Sequence, residues 1–192
     1  MRRVPGGEEG YAHTGWVLAF PEDPGQAKYK LDEVLAAEAL LLGRVTYEGF
    51  AAAWPSRTNE AGFADKMNSM PKHVVSSTLD ELEWQNSTVV RGDVADEVSK
   101  LKHEDGGDIL VVGSRTLVHG LVKHDLVDEY RLMVFPIILG SGRRLFPDDA
   151  ADTIRLKLVD SKVFEVGRRR LHVSPGTGAR AVLALAELVN LI

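Results

Sequence analysis

Two segments far apart in the chain place a glycine, an arginine and a hydroxyl directly after an apolar run. One is Gly43-Arg44-Val45-Thr46, which follows Leu40-Leu41-Leu42. The other is Gly113-Ser114-Arg115-Thr116-Leu117, which follows Ile109-Leu110-Val111-Val112. The pattern suits an anion. Glycine admits a close backbone approach, arginine offers a fork of donors, and the unpaired N–H groups at a helix start attract negative charge. Two such sites in one domain suit a ligand with two phosphate groups, such as a dinucleotide. Ser76-Ser77-Thr78 adds three consecutive hydroxyls that could hold a phosphate or a ribose. Each motif also has an ordinary reading: a strand-to-helix turn capped by Thr46, and a hydroxyl run that caps a turn.

Other arrangements offer less chemistry. Gly140-Ser141-Gly142-Arg143-Arg144-Leu145 lacks the third glycine of a dinucleotide fingerprint and reads as a tight turn lining the cleft. His119 and His124 are spaced wrongly for one helical face, so no metal site is expected there. The sequence has no cysteine, which excludes disulfides and thiol catalysis. No Ser-His-Asp or paired-carboxylate pattern stands out. Arg168-Arg169-Arg170 reads as a solvated strand edge.

These motifs must be positioned by the elements around them. Residues 1 to 25 are rich in glycine and proline and read as mostly irregular, with Trp16, Val17, Leu18 and Phe20 as anchors. Helical spacing marks Gln26 to Ala37, Thr46 to Ala53, Phe63 to Met70, Val94 to His103 and Ser114 to Lys123. Strands are read at Glu38 to Leu42, His73 to Ser76, Thr88 to Val90, Ile109 to Val112 and, at greater length, Glu129 to Leu139. Ile154 to Phe164 and Arg168 to Val173 read as a hairpin through Glu165-Val166-Gly167. Strands alternating with helices, then a run of strands, predict an α/β fold with a largely parallel sheet and an antiparallel edge. Each polar cluster then falls at the carboxyl end of a strand, where such sheets bind ligands.

Composition sets outer limits. The 192 residues are 44% apolar, enough for one domain with a full core. The net charge of −5 argues against non-specific binding of nucleic acid, which needs a basic face. No run approaches the ~20 apolar residues of a membrane span, and Met1 to Gly7 lacks the apolar stretch of a signal peptide. A cytoplasmic protein is expected.

From about Trp16 to about Phe164 the chain resembles the dihydrofolate-reductase-like superfamily, specifically the reductase domain at the C-terminus of the bacterial riboflavin-biosynthesis deaminase-reductase. The resemblance is carried by Leu40 to Glu48, by Val74-Val75-Ser76-Ser77-Thr78 and by Ile109 to Ser114. Leu126 to Glu129 and Val134 to Gly142 continue it in the same order. It implies a mostly parallel central sheet flanked by helices, an antiparallel C-terminal hairpin and NADPH as cofactor. Gly43, Arg44 and Thr46 would hold phosphates, Ser76, Ser77 and Thr78 the adenosine end, and Gly113, Ser114, Arg115, Thr116 and Leu117 the pyrophosphate. Tyr47, Phe50 and Trp54 would face the cleft and the substrate, a pyrimidine- or pterin-like ring such as a phosphoribosylaminouracil. No proton donor is identified, although Asp32 lies on the helix that carries the acid in dihydrofolate reductases.

The ends of the chain depart from that family. Its members usually begin with an apolar strand followed by Ser-x-Asp-Gly, whereas this chain opens Met1-Arg2-Arg3-Val4-Pro5. Trp16 to Phe20 could supply a short substitute for the central strand, with the C-terminal segment covering apolar surface nearby. Residues 176 to 192 form an apolar tail, read as a helix from Ala179 to Ile192 that must bury itself against something. The resemblance and this tail together predict a homodimer. Two functions follow as expectations: a reductase, or a nucleotide-binding or dimeric homologue without turnover.

Overall fold

Local chemistry opens the first helix. Asp23 accepts a hydrogen bond from the Gln26 N–H and Pro24 sits in the first turn, so α1 (Pro24–Ala36) begins with a side-chain cap. The structure, a computed structural model, describes residues 11–58, 61–104, 106–142, 144–146, 153–165, 167–175 and 183–186. A short 3-10 turn at Trp16–Ala19 precedes α1. After α1 come β1 (Ala39–Gly43), α2 (Arg44–Ala53), α3 (Phe63–Ser69), β2 (Lys72–Val75) and β3 (Ser87–Val90). Next are α4 (Val94–His103), β4 (Ile109–Val111), α5 (Arg115–Lys123) and β5 (Glu129–Val134). The chain closes with β6 (Lys157–Val163), β7 (Arg169–Ser174) and β8 (Leu183–Ala186).

The strands lie in the order β3-β2-β1-β4-β8-β5-β7-β6, parallel except where β7 pairs antiparallel with β5 and β6. β1 is interior, and its apolar run explains why. Leu40, Leu41 and Leu42 are fully buried, but successive side chains enter opposite faces. Leu40 and Leu42 join Tyr47, Phe50, Trp54 and Met67 on one side, while Leu41 joins Val98, Leu117, Leu121 and Tyr130 on the other. The helices cover both layers.

Three sequence readings change. β5 stops at Val134 instead of running on to Leu139, because Pro136 has no N–H to give to a ladder. Trp16 to Phe20 is not a strand. Its 3-10 turn docks through rings, with Trp16 at 5.0 Å from Phe135 and Phe20 at 5.2 Å from Phe135. Val17 is buried there, but Leu18 is 67% exposed and anchors nothing. The tail, read as a helix, is a strand over Leu183–Ala186; the rest of 176 to 192 lies outside the described residues. β8 pairs parallel with β4 on one side and with β5 on the other. It joins a four-stranded parallel half to a three-stranded antiparallel half, so the C-terminal segment itself supplies a central strand.

The arginine run is also not a solvated edge. Arg168 and Arg170 are buried beside α1. Arg168 bonds Gln26 and the Pro21 carbonyl, with its guanidinium 5.0 Å from the Phe135 ring centre. Arg170 pairs with Asp160 and lies 4.6 Å from the Tyr29 ring centre. Further along, Arg131 gathers Glu129 at 2.9 Å, Asp108 at 3.1 Å and the buried Glu33 at 3.7 Å. Arg131 on β5, Arg170 on β7 and Arg168 just before β7 thus hold the polar face of α1, each engaged by a partner as buried charge requires.

Candidate functional site

β1 and β4 are parallel neighbours, so the helices that follow them start side by side at one sheet edge. Both starts are uncapped. Gly43 and Ser114 occupy the cap positions of α2 and α5, neither makes a side-chain capping bond, and neither helix has an acid in its first turn. α1 and α4 are different, because Asp23 and Asp93 close their N-termini. The free N–H groups of α2 and α5 therefore keep their positive character at the edge where the two helices meet.

The backbone packs closely there. The Gly43 N–H donates to the Gly113 carbonyl at 3.3 Å. Gly113 holds φ +101, a conformation that favours glycine, and a Cβ added to it would stand 3.3 Å from Thr46 Oγ1. The Gly113–Ser114 peptide bond is cis. Gly43, Thr46, Gly113 and Ser114 thus converge from two distant segments. Arg115 and Thr116 are exposed in the first turn of α5. Leu117 is not a polar contact, since its side chain is buried in the core under α5.

Beside this junction a cleft of about 630 Å³ opens over the ends of β2 and β3. Arg44, Ser76, Ser77 and Thr78 line it, as do Arg91 and Gly92. Ser76 takes the ordinary role, its hydroxyl accepting from the Thr78 N–H at 3.2 Å and the Leu79 N–H at 3.0 Å. That turn leaves the Ser77 and Thr78 side chains exposed. Arg44 pairs with Glu48 at 2.8 Å, and both side chains are nearly half exposed. Arg91 pairs with the almost fully exposed Asp80 at 3.1 Å and donates to the Leu79 carbonyl at 2.6 Å. Exposed pairs of this kind contribute little, so either guanidinium can exchange its carboxylate for a phosphate. Sequence reading missed Arg91 because only the β2–β3 pairing, which ends at Val75 opposite Val90, brings the residue after β3 to the same cleft as Ser76, Ser77 and Thr78.

The expected substrate face is differently placed. Tyr47, Phe50 and Trp54 do not face a cleft; they are 4%, 4% and 1% exposed and pack within the core. Trp54 stacks on Phe63 at 5.3 Å, and Tyr47 Oη accepts from the Trp84 N–H at 3.0 Å. Their side of α2 faces the sheet, while Arg44 and Glu48 take the solvent side. Asp32 is a solvated helix carboxylate paired with Lys28 at 2.7 Å. Gly140 and Gly142 take positive φ of 71 and 129, and Tyr11 Oη donates to the Ser141 carbonyl at 2.9 Å, but this segment is absent from the cleft lining where it was expected. Among the described residues, no group of three or more His, Asp or Glu could hold a metal, and no helix is long and apolar enough to cross a membrane.

Comparison with known proteins identifies the family and the fold. The RibD C-terminal domain matches residues 13–168. The uncharacterized protein YyaP of Bacillus subtilis (strain 168) is 32% identical over 68% of this chain and 70% of its own length. YwjB of the same organism is 29% identical, covering 78% and 79%. Among solved structures, a putative riboflavin biosynthesis protein from Shewanella sp. PV-4 superposes with a TM-score of 0.64 at 21% identity, over 83% of this chain and 85% of that one. Acinetobacter baumannii RibD gives 0.57 at 18% identity, covering 92% of this chain and 55% of RibD. Those two likenesses concern the fold. Taken with the family match over most of the sequence, they place the chain in the RibD C-terminal domain family, on a dihydrofolate-reductase-like fold.

Proposed function

We propose that this protein is an NADPH-dependent reductase of a pyrimidine- or pterin-like ring. The observation that carries the reading is the convergence of Gly43, Thr46, Gly113 and Ser114 at two uncapped helix starts, next to a cleft with two arginines on its wall. The residues fit the cofactor by shape, because any side chain at Gly43 would fill the junction. Gly113, Ser114 and the first-turn amides of α2 and α5 would hold the pyrophosphate. Arg44 and Arg91, with the Ser77 and Thr78 hydroxyls, would hold the extra phosphate at the adenosine end. NADPH, when bound, supplies the hydride. The chain supplies alignment and exclusion of water.

A second reading, nucleotide binding without turnover, is favoured by one observation. The rings of Tyr47, Phe50 and Trp54, which the resemblance would turn toward a substrate, are buried in the core under α2. Titration with NADPH, followed by tryptophan fluorescence and by loss of cofactor absorbance with candidate pyrimidines and pterins, separates the two. Binding with oxidation supports the reductase. Binding without it supports the second reading, and no binding overturns both.

A further inference from the structure

Both arginines on the cleft wall are held by carboxylates that stand outside its lining. Glu48 follows Arg44 by one turn of α2 and takes its guanidinium at 2.8 Å. Asp80 follows the turn of Ser76, Ser77 and Thr78 and takes the guanidinium of Arg91 at 3.1 Å. Neither pair is built for stability. The side chains of Arg44 and Glu48 are 46% and 44% exposed, those of Arg91 and Asp80 49% and 90%, and pairs so wet contribute little to folding.

The carboxylates do not fix the place of the charge. Arg91 also donates to the Leu79 carbonyl at 2.6 Å, within the turn that Ser76 Oγ closes by accepting from the Thr78 and Leu79 N–H groups. Backbone therefore keeps Arg91 at the cleft, and Asp80 adds compensating charge. Arg44 opens α2, whose uncapped N-terminus already carries positive character, and Glu48 offsets it from the next turn.

Arginine and carboxylate are the two groups that tell one nicotinamide dinucleotide from the other. A guanidinium receives the 2′-phosphate of the phosphorylated cofactor, whereas a carboxylate accepts a hydrogen bond from the free 2′-hydroxyl. This cleft has both groups, already bonded to each other, on two of its walls. A phosphate must take each arginine from its carboxylate and then lies beside that negative charge. A hydroxyl meets no such opposition.

We propose that Glu48 and Asp80 are specificity-determining residues. They compete with the 2′-phosphate for Arg44 and Arg91, hold down the preference of the cleft for the phosphorylated cofactor, and keep the unphosphorylated one a usable ligand. The inference rests on the reading of this cleft as the seat of the adenosine end.

Glu48→Gln and Asp80→Asn keep the shape of each side chain and remove its charge, and both sites are exposed enough for the melting temperature to be retained. The full chain is titrated with NADPH and with NADH, followed by tryptophan fluorescence. Each variant should bind NADPH about threefold tighter, and NADH equally or more weakly, so the NADPH-to-NADH affinity ratio rises about tenfold in the double variant. Asp32→Asn removes the same charge from an exposed pair with Lys28 on α1, and should leave the ratio at its wild-type value. A ratio that stays constant or falls in the double variant overturns the inference, and so does an equal rise in Asp32→Asn, which would assign the effect to net charge. If the wild type binds neither cofactor, the cofactor reading falls and takes the inference with it. If it binds NADPH and the double variant gains nothing, the inference falls alone.

Discussion

A Cβ placed on Gly43 would lie 2.4 Å from Ser114 Oγ and 3.2 Å from the Ser114 backbone nitrogen. The ends of β1 and β4 approach so closely that only glycine fits at the first. Gly43→Ala must therefore displace the start of α5, and with it the amides proposed to hold a pyrophosphate. The expected outcome is a loss of NADPH affinity of tenfold or more, about 1.4 kcal/mol, against a stability cost of roughly 1–3 kcal/mol from overpacking. Calorimetric titration and thermal melting measure the two separately. Unchanged affinity would remove this junction from the binding site.

Arg44 and Arg91 approach the same cleft from α2 and from the end of β3. A charge-assisted hydrogen bond to phosphate is worth ~1.5–3 kcal/mol, so Arg44→Ala and Arg91→Ala should each weaken NADPH by tenfold or more and leave NADH nearly unaffected. Competitive titration of both cofactors checks this. Equal losses for the two would assign the arginines to some other part of the ligand.

Lys72 is almost fully buried at the start of β2, where its ammonium donates to the carbonyls of Asn68, Met70 and Gln85 at 2.7, 2.9 and 3.1 Å. Lys72→Met leaves these acceptors without their donor and should destabilise the fold by about 1–3 kcal/mol. Burial also lowers its pKa from 10.5 to about 8. Between those values the unfolded chain binds more protons than the folded one, so this group makes stability rise with pH from about 8 toward 10.5. Urea denaturation across that range should show the slope in the wild type and a flatter one in Lys72→Met.

β8 is the only link between the β4 and β5 edges among the described residues. Truncation after Pro175 should leave two long interior edges open, and unpaired buried backbone groups cost ~1–3 kcal/mol each. The expected result is aggregation or a lower melting temperature with increased binding of a hydrophobic dye. A shortened chain that melts and binds NADPH like the full one would show the strand to be dispensable.

Much of the fold is legible along the chain. Fully apolar runs at Leu40 to Leu42 and Ile109 to Val111 announce strands buried on both faces, and proline and aspartate mark where α1 and α4 begin. Gly43, Arg44, Thr46, Gly113 and Ser114 could be named as phosphate-binding candidates because glycine and hydroxyl chemistry at a strand end is local. Side chains decided by their neighbours were not legible. Tyr47, Phe50 and Trp54 carry polar or aromatic groups compatible with either a cleft or a core, and only the packing of α2 on the sheet sends them inward. Arg168 and Arg170 read as solvated until α1 covers them. The tail is the clearest case: Leu183 to Ala186 is apolar enough for a helix, but its backbone pairs with β4 and β5, which are distant in sequence. Periodicity and turn chemistry act between neighbours a few residues apart, so the sequence alone determined most of the helices and parallel strands and the glycine and hydroxyl clusters that follow β1 and β4. Hydrogen-bond partners and buried faces are set by segments far apart in the chain, so the tertiary structure alone decided which strand lies at the centre and which side chains reach the cleft.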